Sequence, residues 1–146
     1  MKLIRSDEIT DYIQNHVEET YPDECCGFFF GEDGEERIVT YVQRVANAKE
    51  GDQRRRFRID PKDYRKAEAY ADENGLDFLG IYHSHPDHPA EPSEHDRKVA
   101  MPFFSYIILS VQNGRTADIR SWRLNDERQF EEEPVEARQL VDDKHV

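Results

Sequence analysis

Apolar and polar positions change period several times along the chain, and each change marks an element. Ile9, Tyr12, Ile13 and Val17 recur at the three-and-four spacing of one helical face. Ser6 stands where a cap is needed, Asp7 and Glu8 suit the positive end, and Tyr21-Pro22 stops the run. From residue 25 the period shortens. "CCGFFFG" predicts a strand, "EDGEE" a turn, and "RIVTYVQRV" the returning partner of a hairpin, with "RRFRI" at 55–59 as a third short strand. Asp60-Pro61 starts a second helix and Asn74-Gly75 ends it. "LDFLGIYHS" is a buried strand that runs into a loop stiffened by Pro86, Pro89 and Pro92, after which Ser93 opens a third helix to about Ala100. "FFSYIILSV" and "TADIRSWRL" flank Asn113-Gly114, the strongest short hairpin signal in the chain. Strands alternating with helices, plus two hairpins, predict the α/β class: a mixed β-sheet flanked by helices.

At 146 residues the chain has the size of one domain. Only 36% of its residues are apolar, but the aromatic ones cluster in the periodic segments, which separates it from disordered sequences. Residues 1–125 are expected to form the folded domain, and the strongly acidic, weakly periodic residues 126–146 a loosely ordered tail. A net charge of −12 repels phosphate backbones and acidic membranes, so neither nucleic acid nor a membrane is an expected partner. The one basic run, "QRRRFR" at 53–58, reads as a solvated strand edge. No stretch approaches the ~18 apolar residues of a membrane span, and the N-terminal "MKLIRSDEITD" lacks a signal-peptide core. The two cysteines, Cys25 and Cys26, are adjacent, where a bridge would be strained and close no useful loop. A reducing cytoplasm is the expected setting. Nothing in the sequence sets an oligomeric state.

The segment "HSHPDHPAEPSEHD" at 83–96 carries the candidate chemistry. His83 and His85, two apart at the end of a strand, point to one side, and Asp96 lies in the first turn of the following helix. Two imidazoles and one carboxylate are a catalytic zinc set that leaves a fourth tetrahedral position for water. Other readings stay open at this point: Ser93-x-x-Asp96 is also a helix-capping pattern, and His88 or His95 could substitute as ligands. Cys25 and Cys26 face opposite sides of a strand and suit core packing better than one ion.

His83-Ser84-His85-Pro86, followed by Ser93-x-x-Asp96 and preceded by "PDECCGFFFG", resembles the signature of the JAMM, or MPN-plus, zinc metalloproteases of the prokaryotic single-domain type. The likeness runs from the first helix to the "SW" strand. It implies a cytidine-deaminase-like JAMM/MPN fold, with zinc held by His83, His85 and Asp96, Glu24 as general acid/base and Ser93 stabilising the oxyanion. It further implies hydrolysis of the peptide or isopeptide bond after the C-terminal Gly-Gly of a ubiquitin-like or sulfur-carrier protein. A catalytically silent MPN scaffold is the alternative, distinguished by lost metal ligands, and none is missing here. A deaminase on the same broad fold would need a Cys-x-x-Cys that is absent. A DNA-repair-associated branch sits badly with the acidic balance.

Overall fold

The computed structural model describes residues 2–54 and 56–139. Eight strands form one mixed sheet in the order β7-β6-β5-β4-β2-β3-β1-β8. In chain order the elements are β1 (Lys2–Arg5), α1 (Asp7–Thr20), β2 (Cys26–Asp33), β3 (Glu36–Val45), α2 (Pro61–Asn74), β4 (Asp77–Pro86), α3 (Glu94–Val99), β5 (Ser105–Gln112), β6 (Arg115–Leu124), β7 (Phe130–Glu133) and β8 (Val135–Ala137). The pairs β2–β3 and β5–β6 are antiparallel hairpins, whereas β4–β5 and β1–β3 are parallel. This is the expected α/β class with a helix-flanked mixed sheet.

Both faces of the central strands are buried, which is why β2 and β4 read as continuous apolar runs and not as alternation. On one face Ile13 and Val17 of α1 pack with Leu3, Phe29, Leu79 and Tyr82. On the other, Ala67 and Ala71 of α2 lie over Phe28, Phe30 and Ile81. Small residues let α2 approach the sheet, and Gly80 does the same within it: a Cβ there would stand 1.9 Å from the Ser105 carbonyl oxygen of β5. The caps form as read. Ser6 accepts from the Ile9 N–H, Asp60 from the Lys62 N–H, and Gly75 closes α2 in the left-handed region at φ 63°. Cys25 and Cys26 are free and buried, as core residues.

Two expectations are corrected. The segment "RRFRI" is not a strand. Its described residues belong to the long connection between β3 and α2, where hydrogen bonds to the Asn47 side chain and one main-chain bond, from the Ala48 N–H to the Arg58 carbonyl, stand in place of a ladder. The acidic segment after residue 125 also differs from a loose tail, because it contains β7 and β8. β7 pairs with β6 and β8 with β1, at opposite ends of the sheet order, yet only Pro134 separates them. One stretch of eight residues therefore joins the two edges, and the Leu3 N–H donates to the Pro134 carbonyl at 2.9 Å on the seam. Local charge did not forbid this, since two open backbone edges supply the pairing and most of the carboxylates face outward. The rest of that segment, residues 140–146, lies outside the described residues.

Candidate functional site

The site lies where β4 ends. Along this strand His83 and His85 project to one side while Ser84, fully buried between them, projects to the other. Ser84 fastens the start of β2: its Oγ accepts from the Cys25 N–H at 2.9 Å, and its own N–H donates to the Cys25 carbonyl at 3.1 Å. That places Glu24, one residue earlier, beside the two imidazoles. Asp96 comes from α3, whose start is set by a capping box in which Ser93 Oγ accepts from the Asp96 N–H and Asp96 Oδ2 accepts from the Ser93 N–H.

The capping and ligand readings of Asp96 are compatible. Its Oδ2 lies 3.2 Å from His85 Nε2 and 3.4 Å from His83 Nε2, and the two Nε2 atoms are 3.1 Å apart. Among the described residues these three are the group able to hold a metal; His88 and His95 line the surrounding cavity instead of joining it. Zinc–nitrogen bonds of about 2.0–2.1 Å in a tetrahedron put neighbouring ligand atoms about 3.3 Å apart, so the triangle has the right edges. Proton count agrees. His85 Nδ1 donates to the Pro89 carbonyl at 2.9 Å, which leaves its Nε2 as a lone pair facing another nitrogen and a carboxylate oxygen. With His83 Nε2 within 3.4 Å of both, two facing acceptors, His85 Nε2 and Asp96 Oδ2, suit a shared cation. The titrations follow the same crowding. Burial holds His83 below its ordinary value; Asp96 is driven well below the carboxylate range because the imidazoles and the Ser93 N–H outweigh burial.

Glu24 is 6% exposed and faces the triangle without joining it. Burial, with a further push from Asp96, raises its carboxyl to about 8, while His85 and Arg56 pull the other way. It lines a cavity of about 600 Å³ together with Phe57, His85, Ser93 and Asp96. Ser93 is exposed there, and its hydroxyl, an acceptor in the cap, still has its own proton to donate. Of the five residues singled out in the sequence, Glu24, His85, Ser93 and Asp96 line this cavity, and His83 is buried against His85 and Asp96.

Polar anchors, beyond the prolines, hold the loop between β4 and α3. The Asp87 N–H donates to the Val111 carbonyl, Ser110 Oγ–H to the His88 carbonyl at 2.6 Å, and the indole of Trp122 to the Ala90 carbonyl at 3.0 Å. None of these partners had a local sequence signal, because each lies on β5 or β6, far along the chain. The same holds for Asn47 and Gln53, which take up both main-chain groups of Glu24, and for Phe57, whose ring lies 4.6 Å from that of His83.

Comparison with known proteins bears on the family and the fold. The family model described as prokaryotic homologs of the JAB domain matches residues 6–125. The CysO-cysteine peptidase of Mycobacterium tuberculosis is 30% identical over 135 residues, covering 91% of this chain and 88% of that protein. The desampylase of Haloferax volcanii is 31% identical over 121 residues, covering 80% and 86%. A Desulfitobacterium hafniense protein of known solution structure superimposes with a TM-score of 0.84 at 26% identity, over 99% of this chain and 98% of that one.

Proposed function

The chain belongs to the family of prokaryotic homologs of the JAB domain, and on that premise we propose that it is a zinc-dependent peptidase cleaving after the C-terminal Gly-Gly of a ubiquitin-like or sulfur-carrier protein. The observation that carries the chemistry is the buried triangle of two imidazole nitrogens and one carboxylate oxygen with Glu24 facing it. His83, His85 and Asp96 hold the metal. Zinc, when bound, supplies Lewis acidity towards water and the scissile carbonyl. Glu24, poised near neutrality, accepts the proton of the attacking water and returns it to the leaving nitrogen. The Ser93 hydroxyl donates to the oxygen that becomes negative as the carbonyl is attacked.

The substrate class is supported by relatives named for a carrier–cysteine peptidase and for a desampylase. The free, buried cysteines suit a reducing cytoplasm, and among the described residues no helix is long and apolar enough to cross a membrane. Purified protein is expected to contain about one zinc per chain. It should release cysteine or peptide from a Gly-Gly-extended carrier, lose that activity to a chelator and regain it with zinc. His85→Ala and Asp96→Ala should lose the metal. Wild-type zinc content in both variants would refute the ligand set, and a zinc-loaded enzyme that leaves such carriers intact would refute the substrate class.

Beside the cavity a groove of about 340 Å³ runs over Phe57, Ile59, Tyr64 and Tyr106, with Arg56 and Arg58 on its lip. Both arginines are exposed, and neither is ion-paired among the described residues, in a chain of net charge −12. We assign this groove to the extended tail of the carrier. Arg58→Glu, which leaves Arg56 and its pull on the Glu24 carboxyl in place, is expected to raise KM severalfold with kcat nearly unchanged, the pattern of lost ground-state binding. An unchanged KM in steady-state assays would place the tail elsewhere.

A further inference from the structure

Asn47 lies early in the connection between β3 and α2, partly buried. Its side-chain amide makes four hydrogen bonds. Nδ2 donates to the carbonyls of Glu24 and Arg56, each at 3.1 Å, and Oδ1 accepts from the N–H groups of Lys49 and Arg58, each at 3.0 Å. That uses both donors and both acceptor lone pairs of the group. The Asn47 carbonyl in turn accepts from Gln53 Nε2 at 3.2 Å, and the Gln53 carbonyl accepts from the Glu24 N–H at 2.7 Å.

Glu24 precedes β2 and has no place in the β2–β3 or β2–β4 ladders, both of which begin at Cys26. Its N–H and C=O are buried groups that must find partners elsewhere. Both end on this one loop, and the next residue is clamped to Ser84. The carboxylate is therefore aimed by main-chain bonds on either side of its own Cα.

We propose that Asn47 is a positioning residue for Glu24: by tying Lys49, Gln53, Arg56 and Arg58 to the Glu24 main chain, it holds the carboxylate against the metal-binding triangle. The inference rests on the reading of Glu24 as proton shuttle. The residue type matters. Aspartate would keep the two acceptor bonds but turn an oxygen towards the carbonyls of Glu24 and Arg56, where two acceptors would meet. Glutamine would displace the amide by a methylene.

The test uses zinc-loaded full-length protein, with Asn47→Ala and Asn47→Asp made alone and in the Glu24→Gln background. Zinc content should stay at the wild-type level, since Asn47 touches no ligand. In the wild-type background kcat should fall roughly 10- to 100-fold, in line with the ~10²-fold cost of an ångström misplacement, while KM changes much less. In the Glu24→Gln background the same substitutions should lower kcat by less than about twofold, because an effect that passes through Glu24 is already lost there. A full multiplicative loss in that background overturns the inference, as does a rise in KM with kcat intact, which would make Asn47 an organiser of the substrate groove alone. Near wild-type kcat in the Asn47 variants beside an inactive Glu24→Gln overturns it while sparing the shuttle. An active Glu24→Gln removes the shuttle and this inference together. If Asn47→Ala melts below the assay temperature, Asn47→Asp and Gln53→Ala carry the same comparison.

Discussion

Glu24→Gln is expected to keep its zinc and to lose about 10²- to 10⁴-fold in kcat, the range of general acid/base contributions, with the upper end favoured because one group both takes and returns the proton. Glutamine preserves the size and one acceptor oxygen but cannot carry the proton. Folding should change little. Burial raises the Glu24 carboxyl to about 8, so without metal the fold relies on no buried charge there at neutral pH, and a bound cation is what would favour the carboxylate that takes the proton. The expected signature is therefore a near-native melting temperature, about one zinc per chain and almost no turnover. Glu91 and Glu94 are the competing bases, since both line the cavity rim. Both are exposed, and Glu94 is ion-paired to Arg97, so Glu91→Gln and Glu94→Gln should stay within a few-fold of wild type. Normal cleavage by Glu24→Gln alongside an inactive loop variant would move the proton transfer to the loop.

What could be read from the chain depended on the distance between cause and effect. Helix starts at Ser6, Asp60 and Ser93 were legible because a cap acts within three residues. The Asn113-Gly114 turn was legible because both residues must take positive φ, and both do, at 51° and 82°. His83, His85 and Asp96 were legible because strand alternation and one short loop nearly suffice to bring them together. The capping and metal readings looked like rivals for Asp96 only because a sequence does not show that one oxygen can serve both.

Long-range partnerships were invisible. β1 is four residues long and parallel to its neighbours β3 and β8, so no turn announces it. Ser84 stands between two histidines with no local signal of its own, and its role follows from Cys25, which lies opposite at the entry to β2. Residues 53–58 carry the composition of an exposed basic edge, and Asn47, the hub of the described residues around them, is an ordinary polar residue in sequence. In each case the missing information was which distant backbone group would need a partner.

The acidic segment is the largest such case, and removing it is expected to have the largest effect on stability. A chain ending at Asn125 loses β7 and β8 together, four paired positions against β6 and three against β1. Ladder bonds contribute about 0.5–1.5 kcal/mol net each, and the partial burial of Phe130, which packs on Tyr106, adds about 1 kcal/mol. Arg128 goes as well. Its guanidinium donates to the carbonyls of Arg97, Lys98 and Ala100 at the end of α3, the helix that carries Asp96. Together these approach the roughly 5–15 kcal/mol that keeps a domain folded. At about 4 °C per kcal/mol the melting temperature should fall by ~20 °C or more, with aggregation through the two opened edges and zinc lost from whatever remains folded. Truncation after Gln139 is the control. It keeps every pairing described, including the ion pairs of Arg138 with Glu36 and Glu136, and should melt near wild type. A chain ending at Asn125 that matched the full-length protein in melting temperature and zinc content would return residues 126–139 to the status of a loose tail. The order of loss in a truncation series would add detail: cutting after Glu133 spares β7 and Arg128 but frees β1 from β8, so zinc should persist there while the melting temperature drops.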